Sequence, residues 1–446
     1  MTTSDREAAI KQAISMPRSI TAPPDLAVSI SREIRIVPQE HGRMRLGRFG
    51  WLPQPSPAFI LGVLLLLGAI GAIAVGLVRP QLKAHLLSEY HGGPDRTGVM
   101  VGPGPAGVPT VAWDVTRPGP LPFTTMPLVQ DGRVYVVDQS GTAAALDAST
   151  GATLWEHRAA GNVRGAPALL DDLLIFGTHD GHVTALRLGD GSQAWDTSIG
   201  GAPISASMLE ARGQLYVGTE DGTVVSLDGM TGLPAWTVSI GGPVTRGAAL
   251  ADGVVYLGAT GGRFSALNAA TGLERWHAEL GPGEVGTPVV GSGLVYVGRG
   301  LLAPEGSHDV VAIEAASGAI RWTFAAPSGR QMFPGALARG VLFSMSEDGS
   351  IYALDAATGA LVWTTAAASA QLGTLGAIVG NSLYVNSSDR NVQAFDATTG
   401  THLWTVSVVG VPTMSAVVDG SVFIGTSLGH VLAIRDPEAA GTPAGS

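Results

Sequence analysis

The chain has 446 residues, 26 Lys and Arg against 36 Asp and Glu, and a formal net charge of −10. That balance argues against general nucleic-acid binding, which needs a basic face. The absence of cysteine excludes disulfides, thiolate metal sites, a lipid-modified amino-terminal Cys and a Cys nucleophile.

Charge is unevenly divided: up to Arg79 there are 9 Arg and Lys against 5 Asp and Glu, and the remainder carries 17 against 31. Residues 1–57 read as a basic, largely disordered cytoplasmic arm. Pro17, Pro23, Pro24 and Pro38 break any long helix there, and Pro53, Pro55 and Pro57 form a stiff joint. Residues 58–78 carry no charge over 21 positions. As a helix they would reach roughly 31 Å, enough for a bilayer core. A cleaved signal peptide is the alternative, opposed by the length of the run, its position and the Arg79-Pro80 behind it. Arg43, Arg45 and Arg48 precede the run and outnumber Arg79 and Lys83 after it. The expectation is a single-pass protein of the cell membrane with a cytoplasmic amino terminus and an extracytoplasmic body. The stretch Ala22-Pro23-Pro24-Asp25-Leu26, ahead of a basic segment and one span, resembles the spacer of membrane-bound anti-sigma factors. That resemblance implies a transmembrane signalling regulator.

After a linker at residues 79–109, the chain becomes an array. High Gly (62) and Pro (28) with 14% charged residues suit an all-β body rich in tight turns. A nine-residue stretch, Asp-x-x-Thr-Gly-x-x-x-Trp in its clearest form, begins at Asp147, Asp228, Asn268, Glu314, Asp355 and Asp396, with a degenerate copy ending at Trp195. Its Asp or Asn can accept backbone N–H bonds, and its Gly takes the left-handed position. Within one unit, residues 165–170, 173–177, 182–188 and 193–198 read as four short strands joined by turns, among them Asp180-Gly181. Four antiparallel strands per repeat of about 40 residues indicate a propeller blade.

Tryptophans count the blades. Trp113, Trp155, Trp195, Trp236, Trp276, Trp322, Trp363 and Trp404 are spaced by 42, 40, 41, 40, 46, 41 and 41 residues. Seven complete units follow a lone strand at 110–115, which is expected to complete the last blade and so close an eight-bladed ring over 110–436. Residues 437–446 are read as a disordered tail. The one long spacing places an insertion at 301–308 between the second and third strands of its blade. It reads as a protruding loop, either a partner contact or a tolerated insertion.

His91-Gly92-Gly93-Pro94-Asp95-Arg96-Thr97-Gly98 and the Trp-ending motif together resemble the pyrroloquinoline-quinone-like propeller repeat family. The resemblance covers about residues 89–436 and implies that each Trp docks between neighbouring blades. The family includes quinoprotein dehydrogenases, the propeller subunit of the outer-membrane barrel-assembly machine, and propellers attached to membrane-spanning regulators. Its quinone enzymes imply a Trp floor, calcium held by Glu, Asn and Asp, and an adjacent-Cys disulfide. These have no counterpart here: Cys is absent, and every Trp after the span has a docking position. Residues opening the inner strands are Thr124, Arg164, Ser205, Thr245, Val285, Met332 and Gly373, a poor set for a hard cation. No quinone, calcium or other metal is therefore expected. His179 and His182 flank a turn and read as an exposed pair rather than a metal site. Glu220-Asp221 and Glu347-Asp348 read as turn chemistry. Arg164, Arg246, Arg330 and Gln331 precede inner strands and are the candidate ligand-binding residues at the channel mouth. Converging arginines would suit a carboxylate or other anion; solvated or Asp-paired arginines are the alternative. The expected function is a non-catalytic module that binds a protein or peptide, with a quinone-dependent oxidoreductase or redox-ligand carrier and a signalling regulator as alternatives.

Overall fold

The computed structural model describes residues 90–437, apart from 101, 118–124, 304–306 and 368–372. The basic arm, the apolar run at 58–78 and almost all of the tail lie outside the described residues. Among the described residues, no helix is long and apolar enough to cross a membrane.

The described chain folds as eight four-stranded antiparallel sheets. Blade two runs from the inner strand Ala168–Leu170 through Leu173–Gly177 and His182–Arg187 to the outer strand Gln193–Ser198. Blades one and three to seven repeat this order. Blade eight takes Ala416–Val418, Ser421–Gly425 and His430–Arg435 from the end of the array, and its outer strand is Thr110–Thr116 from the beginning. The lone strand therefore closes the ring as expected, with Thr110 opposite Arg435 and Thr116 opposite His430.

Inner strands are shorter than the sequence suggests. That of blade two starts at Ala168 rather than at 165. Near the channel axis neighbouring blades converge, and a side chain at Gly165 would collide with the Ala206 carbonyl of blade three. Blades six and seven differ: their inner strands, Met332–Ala338 and Gly373–Val379, have seven residues and a bulge each.

The core lies between blades. Leu174, Phe176 and Tyr135 are buried in one cluster, and Ile175, Val217 and Leu227 in the next around the ring. Seven interfaces are completed by the repeated motif. The indole N–H of Trp113, Trp155, Trp195, Trp236, Trp276, Trp322 or Trp363 donates to a backbone carbonyl of the next blade at 2.8–3.2 Å. The same indole covers the motif glycine of that blade. Those glycines have φ of +71° to +77°, and a Cβ there would stand 2.5–2.8 Å from the ring. Glycine is thus required twice, for its backbone and for the indole above it. At three interfaces a tyrosine hydroxyl shares the carbonyl: Tyr216 joins Trp236 on Ala269, Tyr256 joins Trp276 on Ala315, and Tyr296 joins Trp322 on Ala356. Both lone pairs of each oxygen are then used. Trp404 is 5% exposed and packs edge-on to Tyr384.

The motif carboxylates act within their own turns. Asp147, Asp228 and Asp355 accept the hydroxyl and backbone N–H of Ser149, Thr231 and Thr358 respectively at 2.6–3.0 Å. These hydroxyl bonds hold all three carboxyls below their usual range.

Two outcomes follow from these contacts. Trp155→Ala should cost about 3–5 kcal/mol in urea unfolding, because Trp155 is only 9% exposed. Trp363 is half-buried, so Trp363→Ala should cost less. The lowered Asp pKa values mean stability that is present above the free value of 3.8 and lost as pH falls through the folded values. A triple Asp147→Asn, Asp228→Asn, Asp355→Asn variant should lose stability less steeply than the parent below about pH 4, followed by tryptophan fluorescence. An unchanged acid slope would remove this role.

Candidate functional site

A ring of blades leaves each inner strand with an unpaired edge facing the channel, and unpaired edges are both costly when buried and adhesive when exposed. Here residues 94–100 cover those edges in blades four to eight. Pro94 and Asp95 carbonyls accept the N–H groups of Leu250 in blade four and Val290 in blade five at 2.6 and 2.9 Å. Thr97 accepts from Leu337 in blade six, and Gly98 from Ile378 in blade seven, both at 2.8 Å. The Met100 sulfur takes the N–H of Val417 in blade eight at 3.2 Å. The segment joins blades four to eight from inside.

Arg96 is the centre of this floor. It is 0% exposed. Its Nε donates to the Ala248 carbonyl at 3.0 Å and its Nη2 to the Met208 carbonyl at 2.6 Å, while Nη1 donates to Tyr90. Arg96 therefore adds blade three to the blades the floor touches. Beside it, His91 is 6% exposed, and its Nδ1 lies 2.9 Å from the Gly335 carbonyl, which makes Nδ1 the protonated nitrogen. Burial, with the Arg96 charge nearby, pushes the His91 pKa down to about 3, so the ring is neutral at physiological pH. The turn that returns the chain on itself needs Gly92, where a Cβ would meet the Val99 carbonyl at 2.5 Å.

Against this floor lies a cavity of about 290 Å³. Tyr90, His91 and Arg96 line its base, and Leu301, Phe333 and Met414 give it apolar walls. Arg246 and Asn386 are among its polar lining. The Asn386 amide is engaged by the Thr413 carbonyl and the Ser415 hydroxyl.

The expected mouth residues do not share one pocket. Arg246 lines the cavity, and its Nε and Nη2 both stand 2.9 Å from Glu284 Oε2, so its charge is already matched. Arg164 is exposed and lines a separate surface pocket with Asn162, His179 and Asp180. Arg330 is exposed. Gln331 is buried and donates to the Gly300 carbonyl at 3.2 Å. Thr124 lies outside the described residues. The insertion differs from a simple protruding loop. Leu301 is 2% exposed and exchanges backbone hydrogen bonds with Glu284, which folds part of the loop inward as a cavity wall. Leu302, next to it, is 73% exposed.

The remaining polar pairs serve turns and strands. His182 Nδ1 lies 2.6 Å from Asp196 Oδ1, and that bond raises its pKa. His179 instead faces Glu220 at 4.0 Å. Asp221 accepts from Thr219 and Thr223, and Asp348 from Ser350. Among the described residues, no group of three or more His, Cys, Asp or Glu is placed to hold a metal ion.

The family model described as outer membrane protein assembly factor BamB, a PQQ-type repeat model, matches residues 110–212, 181–333 and 306–438. The chain belongs to this family. A relative described as outer membrane protein assembly factor BamB from Xanthomonas campestris pv. campestris is 32% identical over 90 residues. That match takes in 18% of this chain and spans 22% of the relative's length. Among solved structures, BamB from Moraxella catarrhalis aligns with a TM-score of 0.61 and 18% identity, over 74% of this chain and all of that one. The quinohemoprotein alcohol dehydrogenase ADHIIG from Pseudomonas putida HK5 aligns with a TM-score of 0.63 and 15% identity, over 82% of this chain and 81% of that one. At such identities these structures establish the shared fold alone.

The sequence marks His91 and Arg96 only as part of the family lead-in, not as lining of the cavity. A signal was present: an Arg framed by Gly92 and Gly98 just ahead of the array. Arg96→Met should lower stability by at least about 3 kcal/mol, since up to three buried carbonyls lose their donor at about 1–3 kcal/mol each. Arg246→Met, which removes a partly exposed pair, should cost about 1 kcal/mol or less. Urea unfolding of both variants tests the ranking.

Proposed function

We propose that this BamB-family member is a membrane-anchored, extracytoplasmic propeller that works as a non-catalytic protein- or peptide-binding scaffold. The observation that carries this reading is the channel itself. Its base is filled by the chain's own Tyr90, His91 and Arg96, hydrogen-bonded into the inner strands. The outside of the ring carries exposed apolar side chains. Leu233 and Leu273 beside outer strands, and Leu302 and Leu428 on turns between second and third strands, are 62–73% exposed. Exposed apolar side chains on a rigid ring are suited to a protein partner. The family match and the described function of the Xanthomonas relative support an assembly or scaffolding role.

A quinone-dependent oxidoreductase is the second reading, favoured by the likeness in fold to the alcohol dehydrogenase. The residues present do not fit that group. A planar quinone would have to lie where Arg96 and His91 pack, and the docking tryptophans are committed to the next blade's carbonyls. Incubation with pyrroloquinoline quinone and calcium should yield neither bound quinone absorbance nor alcohol-dependent dye reduction; either signal would overturn the scaffold reading. Anchoring has a separate test. Alkaline phosphatase fused after Ser446 should be active in cells, and activity confined to an amino-terminal fusion would reverse the orientation. Photo-cross-linkers at Leu302 and Leu428 should capture one discrete protein in cells. If these two positions and Leu233 and Leu273 all capture none, the partner reading fails.

A further inference from the structure

We propose that the cavity against the floor is a binding site for a small uncharged molecule with an apolar body and one N–H or O–H donor, received by Nε2 of His91. This site is separate from the outer surfaces offered to a protein partner and does not rest on them. The first observation is an acceptor without a donor. His91 spends its one ring proton on the Gly335 carbonyl at 2.9 Å, and the neutral ring keeps a lone pair on Nε2. Among the described residues, no group donates to that atom. The enclosed polar atoms that lack a partner lie elsewhere, so Nε2 opens to accessible space, and His91 lines the cavity. The ring is also fixed. It is 6% exposed, bonded through Nδ1, and packed on Tyr90 with ring centroids 4.4 Å apart. A fixed acceptor selects its ligand, because a molecule without a donor would bury it unpaired.

The neighbouring charges decide against an ionic ligand. Arg96 directs its guanidinium to the carbonyls of Ala248, Met208 and Tyr90, and Arg246 is matched by Glu284 at 2.9 Å. A carboxylate or phosphate would find both guanidinium groups engaged and would give up its hydration for little. A cation would meet two like charges. Shape completes the argument. Leu301, Phe333 and Met414 give apolar walls to a cavity of about 290 Å³, at the lower end of the roughly 300–1,000 Å³ of small-molecule sites. Such sites pair apolar walls with a few placed polar groups, which is the combination found here. The insertion gains a use in this reading. It supplies Leu301, 2% exposed, as one wall of the site.

Three probes of similar size test the site by calorimetry on the full chain. Indole is an apolar bicycle with a single N–H, indene has the same shape without the donor, and benzoate is an anion. Indole should bind at one site per chain with a Kd of about 1 mM or tighter. Indene should bind at least about fivefold more weakly, the loss expected when a buried acceptor is left unpaired. Benzoate should bind more weakly than indole. His91→Phe should bring indole down to the affinity of indene. Should that variant fail to fold, the ratio of indole to indene on the parent chain decides the donor's role by itself. Leu301→Trp, which fills the cavity, should abolish indole binding. Four results would each overturn the proposal: no saturable indole binding, equal affinity for indole and indene, tighter binding of benzoate than of indole, or indole binding that survives Leu301→Trp. None of these readouts depends on the membrane anchor or on a protein partner.

Discussion

The structure depends on one contact made at seven blade interfaces: an indole laid over a left-handed glycine and hydrogen-bonded to a carbonyl of the same blade as that glycine. A four-stranded sheet of three- to seven-residue strands is too small to stand alone. Blades gain stability by sharing a core, and the clusters of buried residues straddle neighbours rather than filling single blades. The indole sets the distance and angle at which that sharing occurs. Its glycine cannot be replaced without a collision, so packing and turn geometry are enforced by the same residue. The Asp and Thr of the motif hold the turn in shape so that the glycine presents its bare face.

The channel poses the opposite problem. At the perimeter each blade has ample apolar surface to bury; at the axis it has unpaired backbone. A strand cannot run around eight inner edges, because they point along the channel rather than across it. The solution is a loop whose successive carbonyls meet one inner strand each, with Arg96 reaching the carbonyls that the loop's own backbone does not. Two non-glycine residues of this loop, His91 and Arg96, have φ near +60°. Such strain persists where surrounding contacts over-determine the backbone, and here the surrounding contacts come from several blades. A ring bound both between its blades and across its centre is a stiff platform, which is the property a binding scaffold requires.

Most of this architecture was legible in the residues because it is made of local rules applied at a fixed period. Trp spacing counted the blades, Asp-Gly turns located the hairpins, and the lone strand around Trp113 announced how the ring would close. What was not legible depends on residues brought together at the axis. The late start of the inner strand at Ala168 reflects a neighbour's carbonyl, not any local breaker. The inward fold of Leu301 depends on Glu284 in the preceding loop. The sequence left open whether the mouth arginines converge or stand solvated and paired. Equivalent positions in a ring are separated by rotation, and only Arg246 of the three lines the cavity. The role of Arg96 was not legible, because nothing in its own neighbourhood says that its partners will be Met208 and Ala248.

The closing strand has a consequence in time. Asp114 and His430, which meet at 2.7 Å in blade eight, are 316 positions apart in the chain. At a synthesis rate of about 5–20 residues per second, roughly 15–60 s separate their manufacture. For that interval the first strand has no partner, while blade after blade assembles beside it. A chain that stops short, even by its last thirty residues, has nowhere to seat that strand and keeps an adhesive edge. Ring closure therefore works as a length check, in which the first strand to be made is the last to be paired.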